Sequence, residues 1–183
     1  MTTLPDREAR GLLVVDMQEA VLDGSHDRNQ VVRTVTDLVS RARAAAVPVV
    51  WVQHHDAELV RGSREWALVD ELSPLDGEPV IEKSFGDAFA DTDLEAVLAD
   101  RSVGEIVLVG AASEQCIRCT MHGAVVRGYD VSLVKGAHTT TDLTEYGLPA
   151  PKIIVEFMDS VAAFGMEWPG RRATSVLAAD VGF

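Results

Sequence analysis

The sequence predicts a three-layer α/β fold, with a parallel sheet of about six strands and helices on both faces. Three observations carry that expectation. Short continuous apolar runs, LLVVD at 12–16, VPVVWV at 47–52 and EIVLVG at 105–110, suit strands buried on both faces. Stretches with helical spacing separate them, as with Val31, Val35, Leu38, Val39 and Ala42. The connections are also long enough for the crossovers that parallel pairing needs.

In order, the first strand covers 12–16 and a helix follows over 30–46, ended by Pro48. The second strand is 47–52. Residues 53–78 are polar, contain Gly62, Pro74 and Gly77, and read as a long loop. A short strand, PVIEK, occupies 79–83. A helix is expected at 93–101, with Thr92 as its cap and Glu95 three residues later in a capping-box pattern. The strand at 105–110 leads into a helix from about Gln115 to Arg127. A strand at 129–135, a helix from Pro151 to about Ala163 and a weak strand at 173–180 complete the set. One domain over residues 1–183, with its core at about 10–180, accounts for all of this.

Composition narrows the function classes. Hydrophobic residues make up 47% of the 183 and charged residues 25%, a globular balance. The formal net charge of −13 argues against a nucleic-acid partner, because phosphate binding needs a basic field. No apolar run is long enough to span a membrane. The opening MTTLPDREAR has no apolar signal-like core, and two cysteines make no disulfide framework, so a reduced, cytoplasmic protein is expected.

In parallel α/β sheets ligands bind beyond the C-terminal strand ends. That rule gathers Asp16, the Gln53-His54-His55-Asp56 stretch, Lys83, the loop from Gly110 to Cys116 and Lys135 to His138 at one sheet edge. An acid closing an apolar strand, as Asp16 does, is costly unless paired, and Lys83 likewise closes a short strand. Cys116 lies where a loop enters a helix, and there the helix dipole, free N–H groups and a nearby Lys83 are expected to lower the thiol pKa. Asp16 would take the thiol proton, and backbone N–H groups of the small loop 110–113 would face an oxyanion.

Both cysteines fall in EIVLVGAASEQCIRCT, at the spacing C-x-x-C. A thiol–disulfide pair is one reading, but it leaves Asp16 and Lys83 without a role. A zinc site is another, but no second C-x-x-C or H-x₃₋₅-H pair supplies the remaining ligands, so no metal and no cofactor are expected. Cys119 is expected one helical turn further in, toward the core.

LLVVDMQEAVL at 12–22, VPVVWVQH at 47–54, GEPVIEKSFGDAFADTDLEAVL at 77–98, the block 105–140 and PGRRATSV at 169–176 together resemble the isochorismatase-like cysteine hydrolases, the group of nicotinamidases and N-carbamoylsarcosine amidases. The resemblance implies a six-stranded parallel sheet of order 3-2-1-4-5-6. It also implies an Asp16, Lys83 and Cys116 triad and a non-proline cis peptide at Ala111–Ala112. The N–H groups of Ala112 and Cys116 would form the oxyanion hole. The reaction implied is cleavage of a small amide-type C–N bond (amide, ureido or lactam) through a thioester. An isochorismatase-type vinyl ether hydrolase and a non-catalytic binding protein on the same fold are the alternatives.

The expected substrate-binding residues are Gln18, His54, Trp66, Phe85, Phe89 and Ile117, around a small-molecule substrate. A homo-oligomer, dimer or larger, is expected from the resemblance. The helix carrying Glu156-Phe157-Met158-Asp159 departs from the family pattern, and it is expected to alter the subunit interface or the pocket rim.

Overall fold

A computed structural model describes residues 2–183. Its strands are β1 (Ala9–Val15), β2 (Val49–His54), β3 (Val80–Lys83), β4 (Val103–Ala111), β5 (Asp130–Thr139), β6 (Glu167–Trp168) and β7 (Arg171–Leu177). They form one sheet in the order β3-β2-β1-β4-β5-β7-β6. Every pairing is parallel except β6 with β7. The expected 3-2-1-4-5-6 order is therefore present, with one further edge strand. That strand has two residues and turns back through Pro169 and Gly170, the glycine in the left-handed region at φ +79. Two residues carry no alternation, so no periodicity marks them. The last parallel strand also begins and ends earlier than expected, and residues 178–180 form a 3-10 turn.

Alternate residues of the central strands feed two separate cores. Leu13 and Val15 of β1 point into a layer with Ile81, Phe89, Met121 and Met158. Leu12 and Val14 point into the opposite layer, where α2 (Arg28–Ala44) presents Val31, Val35, Leu38, Val39 and Ala42. This is why the strands read as unbroken apolar runs: neither face meets water. The first layer is covered by α3 (Leu94–Ala99), α4 (Arg118–Arg127) and α5 (Pro151–Phe164). The short α1 (Glu19–Leu22) follows β1 directly.

Three local details differ from the sequence reading. Asp93, not Thr92, is the N-cap residue of α3, and it makes no side-chain cap bond. Thr92 Oγ1 accepts from the Leu94 N–H at 3.3 Å, while Glu95 turns away to pair with Arg7 and to accept from the Tyr129 hydroxyl. The helix expected from Gln115 opens earlier, as a π-helical turn over Ser113–Ile117. Such turns occur often at functional sites. The long loop between β2 and β3 is anchored by buried Leu59, Val69 and Leu72. Its residues 65–69 hydrogen-bond to the backbone of residues 17–20.

The chain runs outward from β1 to β2 and β3, then returns to begin again at β4. The strand order therefore reverses between β1 and β4, and a crevice opens at their C-terminal ends. Asp16, just after β1, and Ala112, just after β4, flank it.

Candidate active site

The floor of the crevice is built from the ends of three strands. Asp16 follows β1 directly, with its backbone in the left-handed region at φ 51 and its side chain 1% exposed. Lys83 closes β3 and is equally buried. Its Nζ lies 2.6 Å from Asp16 Oδ2, 3.2 Å from Cys116 Sγ and 3.3 Å from His54 Nδ1. The ammonium thus joins the acid, the thiol and the imidazole, although the four residues come from four separate stretches of chain. The peptide bond between Ala111 and Ala112 is cis. Ala112 is the N-cap of the π-helical turn that carries Cys116.

Gly110 has a specific reason to be glycine. A Cβ there would lie 1.9 Å from the Val15 carbonyl oxygen, and its φ is +124. β4 therefore passes close against the last residue of β1, just before Asp16.

The electrostatics correct one expectation. The Cys116 thiol is not activated at rest. Burial and the Asp16 carboxylate push its pKa up to about 12, and the Lys83 ammonium offsets this only in part. Burial likewise raises Asp16 above the usual carboxylate range, against the pull of Lys83. Burial opposes the charge on Lys83, but Asp16 and Cys116 outweigh it and its pKa is raised. The resting floor therefore holds the Asp16 carboxyl against the Lys83 ammonium, beside a thiol that keeps its proton. Asp16 Oδ1 has no partner among the described residues.

A cleft of about 610 Å³ opens above this floor, a size suited to a small molecule. Asp16, His54, Ala112 and Cys116 line it, together with Gly86 and Cys119. A second depression of about 420 Å³, bordered by Val80, Ile81, Glu82 and Asp91 to Asp93, has no cysteine, lysine or histidine in its lining.

Of the six expected binding residues, His54 alone lines the cleft. Both of its ring nitrogens are engaged, Nδ1 with Lys83 and Nε2 with Asp56 Oδ2 at 3.2 Å. Gln18 is fully buried, and its side-chain amide clamps His54 and the long loop: Nε2 donates to the carbonyls of His54 and Trp66, and Oε1 accepts from the His54 N–H. Trp66 contributes that carbonyl, while its ring stays out of the cleft lining. Phe85 is 56% exposed and lies outside the lining. Phe89 is buried against Tyr129, ring centroids 5.7 Å apart, with Arg127 over its face. Ile117 is fully buried in the layer under α4. Apolar residues near a motif went to the core, because helix α4 and the sheet close over them. Cys119, expected toward the core, instead lines the cleft against Gly86, where a Cβ would lie 3.2 Å from its sulfur. Both cysteines are free thiols.

The structure adds a further polar group that no sequence motif marks. Ser113 Oγ lies 2.8 Å from His138 Nδ1, and His138 Nε2 lies 3.4 Å from Asp159 Oδ1, which also accepts from Ser175 at 2.7 Å. Ser113 and His138 are fully buried. Asp159 belongs to the Glu156-Phe157-Met158-Asp159 stretch of α5 expected to alter the interface or rim, and its side chain pairs inward with His138 and Ser175. Burial would raise its pKa, but hydrogen bonds from His138 and Ser175 hold it below the usual carboxylate value. Glu114 lines the cleft as well and is absent from the expected set. Its position two residues before Cys116 was the available signal.

Known proteins share this arrangement of the chain. An isochorismatase from Pseudomonas putida KT2440 superposes with a TM-score of 0.86 at 24% identity, over 94% of this chain and 90% of that one, so the fold is common to both. A streptothricin hydrolase from Streptomyces noursei is 36% identical over 171 residues, 88% of this chain and 65% of that protein. An N-carbamoylsarcosine amidase from an Arthrobacter species is 32% identical over 81 residues, 44% of this chain and 31% of that protein. The chain thus spans less than two thirds of either relative. A family model described as the isochorismatase domain matches residues 10–147, from β1 through the turn after β5, and the chain belongs to the isochorismatase family.

Proposed function

We propose that this chain is a cysteine-dependent hydrolase of a small amide-type C–N bond, with Asp16, Lys83 and Cys116 as its working residues. The observation that carries the reading is the contact of Lys83 Nζ with both Asp16 and Cys116 at the base of an open cleft. Relatives named as a streptothricin hydrolase and an amidase support the bond class.

The site's own charges define the sequence of events. One negative charge is matched to the Lys83 ammonium. Burial disfavours a thiolate, and one beside the Asp16 carboxylate would add a second negative charge, so the resting thiol keeps its proton. The proton moves when a substrate carbonyl offers another home for the charge. Asp16 takes it from Sγ, Sγ bonds to the carbonyl carbon, and the electron pair passes to the carbonyl oxygen. That oxygen is received by the N–H groups of Ala112 and Cys116, at a helix start where N–H groups lack intrahelical partners. Asp16 then gives its proton to the departing nitrogen as the C–N bond breaks, leaving a thioester on Cys116. Water, deprotonated by Asp16, attacks the thioester. The acid departs and the thiol regains its proton.

A panel of small amides, ureido compounds and lactams, assayed for amine or ammonia release, tests this. At least one compound is expected to be cleaved by the wild type and not by Cys116→Ala, and hydroxylamine is expected to intercept an acyl group of the substrate's mass. Equal rates for the two proteins on every cleaved compound would overturn the reading.

A further inference from the structure

Resting on the hydrolase reading, we propose that the cleft selects a substrate carrying a positive charge, an ammonium or guanidinium, with Glu114 as the residue that receives it. Glu114 lies two residues before Cys116 and lines the same cleft. Its Oε1 is fixed by the Thr140 hydroxyl at 3.0 Å, and Thr140 itself is buried at the end of β5. Its Oε2 is shielded from solvent and has no hydrogen-bond partner among the described residues. A carboxylate oxygen removed from water without a donor is unfavourable, and a ligand N–H would remove that cost.

The surroundings have the same sign. Asp56, Glu58 and Glu65 line the cleft too. No lysine, arginine or histidine pairs with Glu58, Glu65 or Glu114 among the described residues, and Asp56 has only the His54 imidazole. On the other side of the balance stands Arg118, whose Nε is tied to the Glu114 carbonyl at 2.8 Å. The Asp16–Lys83 pair cancels itself. Four carboxylates against one guanidinium, in a concave space with low-dielectric walls, produce a negative potential over the position a substrate must occupy. The fixed geometry of Glu114 distinguishes it from the rim acids: it is held from β5, in the same turn as the nucleophile.

The test uses three amides of similar size: 4-aminobutanamide (cationic), pentanamide (neutral) and succinamate (anionic). Binding to Cys116→Ala, which holds substrate without turnover, is read by NMR titration, and kcat/KM is read on the wild type. The cationic amide is expected to bind about tenfold more tightly than the neutral one, with the anion weakest, and kcat/KM to follow the same order. Placing Glu114→Gln in both backgrounds is expected to collapse the cation-to-neutral ratio toward one. Raising the salt from ~0.05 M to ~0.5 M narrows the ratio in the wild type.

A ratio of one in the wild type, or a ratio unchanged by Glu114→Gln, overturns the proposal. The two readings separate cleanly. Cationic preference in binding without hydrolysis of any amide keeps this inference and sinks the hydrolase reading. Hydrolysis without charge preference does the reverse.

Discussion

Two polar clusters sit on the C-terminal half of this sheet, and they contain nearly the same chemistry. One holds Asp16, Lys83 and His54 at the ends of β1, β3 and β2, with Cys116 in the turn after β4. The other holds Ser113, His138, Asp159 and Ser175, between β4, β5, β7 and α5. By residue type the serine cluster has the more familiar form of catalytic machinery, with hydroxyl, imidazole and carboxylate in a row. Yet its serine and histidine are fully buried and its linking atoms are all partnered, so there is no surface on which a substrate could meet the hydroxyl. The cysteine cluster borders a cleft and leaves an acid oxygen unpartnered. Access and unspent hydrogen-bonding capacity, more than residue identity, are what distinguish the two clusters.

The comparison can be broken most directly at the nucleophile. Cys116→Ala is expected to lower kcat/KM on any cleaved amide by about 10⁴-fold or more, while the circular dichroism spectrum stays that of the wild type. Ser113→Ala, in the look-alike cluster, should retain far more activity; an equal loss would erase the distinction. Next in size is Lys83→Met, which leaves Asp16 buried without its cation. Urea unfolding should show a loss of about 3–5 kcal/mol.

The thiol supplies a pH test. Its pKa is raised in the folded chain, so between about 9 and about 12 the native state binds more protons than the unfolded state, and stability must fall as pH rises through that window. Tyr129 is raised too and contributes to the same decline. The share due to Cys116 is the difference between wild type and Cys116→Ala, expected to be on the order of 2–3 kcal/mol after allowance for partial exposure. Parallel curves would contradict the buried-thiol account.

His138→Phe strands Ser113 and Asp159 and is expected to cost about 1–3 kcal/mol. Since Ser113 adjoins Ala112, kcat should fall with little change in KM. The smallest effect is expected at the surface of α5, where Phe157 is 63% and Phe164 91% exposed. Phe157→Glu should alter stability by less than about 0.5 kcal/mol and reduce the apparent mass in sedimentation if this face joins copies of the chain.

Much of the fold was legible because each central strand is buried on both faces, and that condition writes an unbroken apolar run into the sequence. Asp16 and Lys83 drew notice for a related reason, since polar residues that end such runs need partners, whereas Cys116 drew notice by its place at a helix start, and the family resemblance joined the three. The pocket lining was not. Phe89 and Ile117 have the composition of a pocket wall and equally that of a core, and only the packing of α4 decides between them. Gln18 resembles a ligand contact in sequence because it follows Asp16 closely, but its amide is used by the backbone of His54 and Trp66. Ser113, His138 and Asp159 each fell in a stretch the sequence brought to notice, but nothing in their spacing linked the three, since they are scattered over separate elements. The thiol's raised pKa was not legible because the helix start and the lysine, taken alone, omit the burial of the sulfur and, after it, the competing charge of Asp16.

The near-contact of Gly110 with the Val15 carbonyl has a practical meaning for redesign. Any side chain at 110 would push on the residue that sets Asp16, so damage there would be felt across the cleft, on a different strand. The charged wall rests on other pieces of chain, the loop bearing Asp56, Glu58 and Glu65 and the turn bearing Glu114. A library confined to Asp56, Glu58 and Glu65 would vary the charge of the cleft without disturbing the strand seam beneath, whereas a change at Glu114 acts in the turn that carries Cys116.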